Sequence, residues 1–131
     1  MMQQHQAYKT NAVNTATPQE LTLMLYNGCL KFMKQAKKAM EEKDIPAKNN
    51  YIQRAQDIIS ELIITLDHNA PIAKDILPLY EFINRRLIDA NIKNDPEILM
   101  EAYALVEEFR NTWKEVMKQA KTMQYSQGAK A

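Results

Sequence analysis

Apolar residues recur with a helical period between residues 18 and 43, and they cover more than one face of the predicted helix. At about 100° per residue, they fall into two groups: Leu21, Leu25, Phe32 and Ala36 on one face, and Leu23, Tyr26, Leu30 and Met33 on another. A surface helix needs an apolar arc of about 100° or a little more, and this arc is about twice as wide. We therefore expect a helix covered on two sides, with the second side belonging either to the same chain or to a partner.

Capping signals mark where the predicted helices begin. The pair Thr17–Pro18 supplies an N-cap and a first helical residue, and Glu20 completes a capping box. Pro46 disfavours helical geometry at the residue before it and suits the start of a second helix. The pair Asp95–Pro96 repeats the signal before the fourth helix.

Three further helices are predicted by apolar stripes of the same period. The second, at residues 46–67, carries the stripe Ile52, Ala55, Ile59, Leu62, Ile63 and Leu66. The third, at residues 72–92, carries Ile76, Leu79, Tyr80, Ile83, Leu87 and Ala90, and the fourth, at residues 96–122, carries Ile98, Ala102, Leu105, Val106, Phe109, Trp113, Val116 and Ala120. Pro78 lies inside the third helix, so we expect a kink there or a short separate turn before it.

Four helices joined by short connections predict an all-α fold, an antiparallel up-down-up-down four-helix bundle spanning residues 17–122. Residues 1–16 are polar apart from Tyr8 and Val13 as larger apolar side chains. They form either a flexible N-terminal arm or a displaceable lid whose two anchors dock in an apolar groove. Residues 123–131 are expected to be a disordered tail.

Charge and cysteine content narrow the classes of partner. The 131-residue chain has 17 basic and 16 acidic side chains and a net charge of +1, which would not recruit nucleic acid or an anionic membrane. Cys29 is the single cysteine and lies in an apolar helix, which favours a reduced compartment. The sequence contains no apolar run of about 18 residues and no signal-peptide pattern. We expect a cytoplasmic protein with no nucleic-acid partner and no direct membrane insertion.

Residues that carry catalysis or bind metals are scarce. His5 and His68 are the only histidines, and neither belongs to the Glu-x-x-His pairs of a di-metal bundle. One cysteine cannot build a thiolate metal cage, and glycine-rich phosphate loops and nucleophile elbows do not occur. We therefore expect no enzyme activity, no metal site and no cofactor.

Two ordered sets of residues resemble a known family. The first is Tyr8-x4-Val13-x-Thr15-Ala16-x-Pro18-x2-Leu21-x2-Met24-Leu25-Tyr26-x-Gly28, and the second is Leu79-Tyr80-x4-Arg85-x-Leu87-x2-Ala90-Asn91, with Trp113 near the end. Their order and spacing over residues 8–117 resemble the flagellin-specific secretion chaperones, the FliS family. The resemblance implies a four-helix bundle that binds the C-terminal segment of new flagellin, prevents premature polymerisation and delivers flagellin to the flagellar type III export gate as a complex.

Apolar surface beyond one core face fits this task, because an amphipathic segment can bind to a bundle by helix-in-groove recognition. The candidate partner contacts are Tyr8, Val13, Leu23, Tyr26, Leu30, Met33, Tyr80, Ile83, Asn84, Leu87 and Asn91. A generic helical adaptor or regulator that binds another amphipathic helix shares these physical features and is the alternative. The sequence does not distinguish a monomer from a free chain that self-associates through its apolar grooves.

Overall fold

The described residues fold into four α-helices in a computed structural model, which covers the backbone of residues 15–129 and the side chains of residues 15–123. The helices are α1 (Pro18–Glu41), α2 (Ile45–Thr65), α3 (Ala73–Lys93) and α4 (Pro96–Ala129). Residues 15–129 contain no β-strand. The predicted all-α four-helix bundle is confirmed.

Short-range side-chain caps explain where α1 and α2 begin, whereas α3 begins without a side-chain cap. The Thr17 hydroxyl accepts a hydrogen bond from the backbone N–H of Glu20 at 3.1 Å, so Thr17 is the predicted N-cap of α1. Asp44 accepts from the Ala47 N–H at 3.1 Å and caps α2 in the same way. At the end of α3, Asn94 adopts the left-handed conformation, with φ of 52°, that often terminates a helix.

Two helices differ from the prediction in detail. α3 passes through Pro78 as one continuous helix, so no separate turn forms before the proline. α4 extends to Ala129, whereas the sequence predicted an end near residue 122. Residues 123–127 include no glycine or proline to stop a helix. Part of the predicted tail is therefore helical in backbone.

The four helices pack as a ring in which sequence neighbours are also spatial neighbours. α1 packs against α2 and α4, and α3 packs against the same two helices, so α1 and α3 lie on a diagonal. The fully buried core contains the large side chains Met33, Ile52, Ile59, Ile83, Leu87, Leu99 and Val106. No helix in the described part of the chain combines the length and hydropathy that a membrane span requires.

A few polar groups are buried among these apolar residues. The Tyr26 and Tyr80 hydroxyls share a hydrogen bond of 2.6 Å between the diagonal helices. Lys48 is a buried residue, and its ammonium donates to the Asn91 carbonyl at 3.0 Å. This carbonyl lies in the last turn of α3, where a cation is favoured, and it also accepts from the Asn94 backbone N–H. These contacts tie α1 to α3 and α2 to α3.

Candidate partner-binding groove

A groove between α1 and α2 has a cavity volume of 540 Å³ and a mostly apolar lining. We call it the α1–α2 groove, and its lining residues are Leu21, Met24, Leu25, Gly28, Lys31, Phe32, Gln35, Asn50, Tyr51, Arg54 and Ile58. Apolar and aromatic side chains with a small number of polar groups are typical of a binding cleft. Met24 is 38% exposed, so apolar surface is accessible at the groove.

Gly28 is the point of close approach between the two helices. A Cβ atom placed on Gly28 would lie 3.3 Å from Cδ1 of Ile58, closer than an ordinary van der Waals contact. The missing side chain therefore leaves room for Ile58 at the groove. Glycine inside a helix costs about 0.5–1 kcal/mol relative to alanine. At position 28 the close packing of Ile58 gives a structural reason for glycine despite that cost.

Stacked side chains build one wall of the groove. The rings of Phe32 on α1 and Tyr51 on α2 stack with centroids 6.5 Å apart and planes 24° apart. The Arg54 guanidinium lies 5.6 Å from the Phe32 ring centroid, within the range of a cation–π contact. This wall is thus held by contacts that cross from α2 to α1.

A smaller apolar cleft lies between α3 and α4. It has a volume of 290 Å³ and is lined by Leu79, Leu105, Glu108, Phe109 and Thr112. Leu79 is 41% exposed at this cleft. The cleft has about half the volume of the α1–α2 groove, and no basic residue lines it.

The structure places six of the predicted contact residues in the core. Tyr26, Leu30, Met33, Tyr80, Ile83 and Leu87 are each 4% exposed or less. The expectation that they form an exposed surplus face is corrected, because the second apolar face of α1 and the main stripe of α3 pack inside the bundle. Contact between these six side chains and a partner stays a prediction. Such contact would require the helices that cover these side chains to move apart.

The other predicted contact residues lie in different settings. Leu23, Asn84 and Asn91 are half-buried, and the Asn84 side-chain oxygen accepts a hydrogen bond from Gln56 at 3.3 Å. The backbone carbonyl of Asn91 accepts from Lys48, so Asn91 has a structural role at the end of α3. Tyr8 and Val13 lie outside the described residues.

The face of α1 that the sequence nominated for partner contact is not the face that lines the α1–α2 groove. The groove uses the face of Leu21, Leu25 and Phe32, not the face of Tyr26, Leu30 and Met33. Three signals could have indicated this choice. They were the helical glycine at position 28 and two residues at the edge of the α2 stripe, Tyr51 and Ile58.

Burial favours the neutral forms of three titratable groups in the bundle interior, those of Cys29, Tyr26 and Tyr80. Burial raises the pKa of the Cys29 thiol to about 12, so the reactive thiolate does not form at neutral pH. Burial also raises the pKa of Tyr26 and of Tyr80. Within residues whose side chains are described, no three histidine, cysteine or carboxylate residues gather as metal ligands.

Comparisons with known proteins identify the family. Residues 1–120 match the family described as "Flagellar protein FliS". The chain is 45% identical over 122 residues to the flagellar secretion chaperone FliS of Bacillus subtilis, covering 93% of this chain and 92% of the relative. It is 32% identical to the Vibrio cholerae protein of the same name, covering 85% and 86% of the two chains, and 31% identical to the Escherichia coli one, covering 80% and 79%. The chain belongs to the FliS family of flagellar proteins.

Proposed function

We propose that the protein is a cytoplasmic flagellar export chaperone that binds the C-terminal segment of flagellin in the α1–α2 groove. Its relatives are named flagellar secretion chaperones, which supports the export role. Bound flagellin is kept from polymerising early and reaches the export gate as a chaperone–flagellin complex. The action is binding alone, without a catalytic step or a cofactor.

The observation that most strongly supports this choice of binding site is the open apolar lining of the α1–α2 groove. Leu21, Leu25 and Ile58 lie between two long helices, with Met24 partly exposed beside them. An amphipathic helix binds such a surface with side chains at the i, i+3, i+4 and i+7 positions. Methionine adapts its shape easily, so Met24 can follow the contour of a bound segment.

A calorimetric titration of the purified C-terminal segment of the same organism's flagellin tests this function. We expect one segment per chain, because one bundle has one α1–α2 groove, and a strongly negative heat-capacity change, which marks the burial of apolar surface. An unrelated amphipathic helix of equal length is the control. Absence of binding by the flagellin segment, or equal binding by the control helix, would contradict the proposal and favour a general helical adaptor.

A further inference from the structure

The rim of the α1–α2 groove carries charge of one sign. Lys31 on α1 and Arg54 on α2 line it, and no aspartate or glutamate does. Neither cation is in an ion pair with another residue among those the structure describes, where all five ion pairs involve other side chains. By contrast, Glu108 lines the smaller cleft between α3 and α4.

Gln35 adds a second, independent feature to the same groove. Its side-chain oxygen Oε1 is buried, yet no donor in the described part of the chain reaches it. Gln35 lies one helical turn after Lys31 and lines the groove. A buried acceptor without a donor costs free energy. Rotation of the Gln35 side chain towards the groove that it lines would let a bound molecule supply the donor and remove this cost.

We propose that the α1–α2 groove selects an amphipathic helix whose apolar stripe is flanked by carboxylates and includes one side-chain amide or hydroxyl. The apolar stripe covers Leu21, Met24 and Leu25. The carboxylates pair with Lys31 and Arg54, and the amide or hydroxyl donates to Gln35 Oε1. This inference deepens the proposed function, on which it rests for the identity of the natural partner, by stating which chemistry in the partner the groove recognises.

The charges at the rim serve selection more than affinity. Lys31 is exposed, so its pairing with a carboxylate is screened by water and salt and contributes little. Arg54 is half-buried and its guanidinium lies over the Phe32 ring, a contact that favours one orientation of the guanidinium towards a carboxylate. A helix with cations flanking its apolar stripe would meet both residues with like charge, and that repulsion would weaken its binding.

Two synthetic helical peptides with identical apolar stripes test the charge selection. One carries glutamates beside the stripe and the other carries lysines, and both have one glutamine within the stripe. We expect the unsubstituted chain to bind the glutamate peptide about tenfold more tightly than the lysine peptide. The double variant Lys31→Glu/Arg54→Glu should reverse this preference. Lys31→Glu alone should reduce the preference for the glutamate peptide. Because Lys31 is exposed, this single variant should fold normally and keeps the test decisive if the double variant misfolds.

Several outcomes would overturn the charge selection. Equal affinity for the two peptides, or an unchanged preference in both charge-reversal variants, would do so. Binding of both peptides only after deletion of residues 2–14, with equal affinity, would indicate that the chain's own N-terminal segment occupies the groove. A third outcome is that the unsubstituted chain shows no peptide preference but dimerises with rising concentration. If Met24→Asp abolishes that dimerisation, the groove binds a second copy of the chain and not the proposed helix.

The flagellin segment separates this inference from the proposed function. If it binds the unsubstituted chain and the double variant equally, charge selection fails and the chaperone function stands. If the flagellin segment does not bind at all, the proposed chaperone function is contradicted. The preference between the two synthetic peptides then still tests whether the groove selects carboxylates.

Gln35→Leu tests the donor contact separately. Removing the unpartnered oxygen should raise the thermal midpoint of the free protein by about 3 °C. It should also weaken binding of the glutamate peptide by about fivefold, because the glutamine of that peptide loses its acceptor. A peptide with leucine in place of the glutamine is the control and should not lose affinity. Equal losses for both peptides, or no loss for either, would overturn the role of Gln35.

Discussion

The hydroxyls of Tyr26 on α1 and Tyr80 on α3 lie 2.6 Å apart and join the two diagonal helices of the bundle. Each residue is 4% exposed, so this hydrogen bond lies in the core. The Phe109 ring on α4 lies 6.0 Å from the Tyr26 ring and 5.2 Å from the Tyr80 ring, centroid to centroid. Three of the four helices therefore meet at one aromatic cluster.

Removal of both hydroxyls from this pair should cost less than the sum of the two single removals. Tyr26→Phe or Tyr80→Phe leaves the other hydroxyl buried without its partner, at an expected cost of about 1–3 kcal/mol in the free energy of unfolding. The double variant should be more stable than the sum of the single losses predicts, with a coupling of at least about 0.5 kcal/mol. Urea unfolding of the four proteins measures this cycle. Strictly additive losses would show that the hydroxyls act independently.

The core and exposed positions of α3 should respond differently to truncation. Leu87→Ala removes a fully buried side chain and should lower the free energy of unfolding by about 2–5 kcal/mol. Ile92→Ala is the matched control on the same helix, since Ile92 is 78% exposed and its loss should cost less than about 0.5 kcal/mol. Denaturant midpoints compare the two. A cost at Leu87 as small as that at Ile92 would contradict the core position of Leu87 and would make it a candidate for surface contact with a partner.

Alkaline pH should destabilise the bundle partly through Cys29. Burial raises the thiol pKa from 9.0 to about 12, so the folded state holds the proton more tightly than the unfolded state. The resulting stability is fully present below pH 9.0 and is lost as the pH rises from there towards 12. Between about pH 8 and pH 10, the free energy of unfolding should fall more steeply in the unsubstituted chain than in Cys29→Ala. Parallel pH profiles would show that the thiol is not protected by the fold.

Much of the fold followed from local chemistry, because three of the four helix starts have a signal within a few residues, whereas α3 begins without a side-chain cap. Thr17 and Asp44 act as caps through contacts three residues away, which a sequence displays directly. The end of α4 was less predictable. Its helix continues past residue 122 because no residue there opposes it before Gly128.

The location of the groove could not be read in the same way. Leu25 and Leu30 are the same residue type on one helix, yet Leu25 lines the α1–α2 groove and Leu30 is 4% exposed in the core. Helical periodicity separates the two faces but does not assign a neighbour to either of them. Only the packing of α1 against α2 and α4 decides which leucine is covered.

The most direct test of the proposed site is a titration of the C-terminal flagellin segment into two aspartate variants. Met24→Asp places a charge in the α1–α2 groove, whereas Ile64→Asp places one at a 72% exposed position on α2 that does not line the groove. Both variants should unfold at midpoints close to that of the unsubstituted chain. We expect Met24→Asp to weaken binding at least about tenfold and Ile64→Asp to change it less than about twofold. Binding by Met24→Asp as tight as by the unsubstituted chain would contradict the assignment of flagellin to this groove.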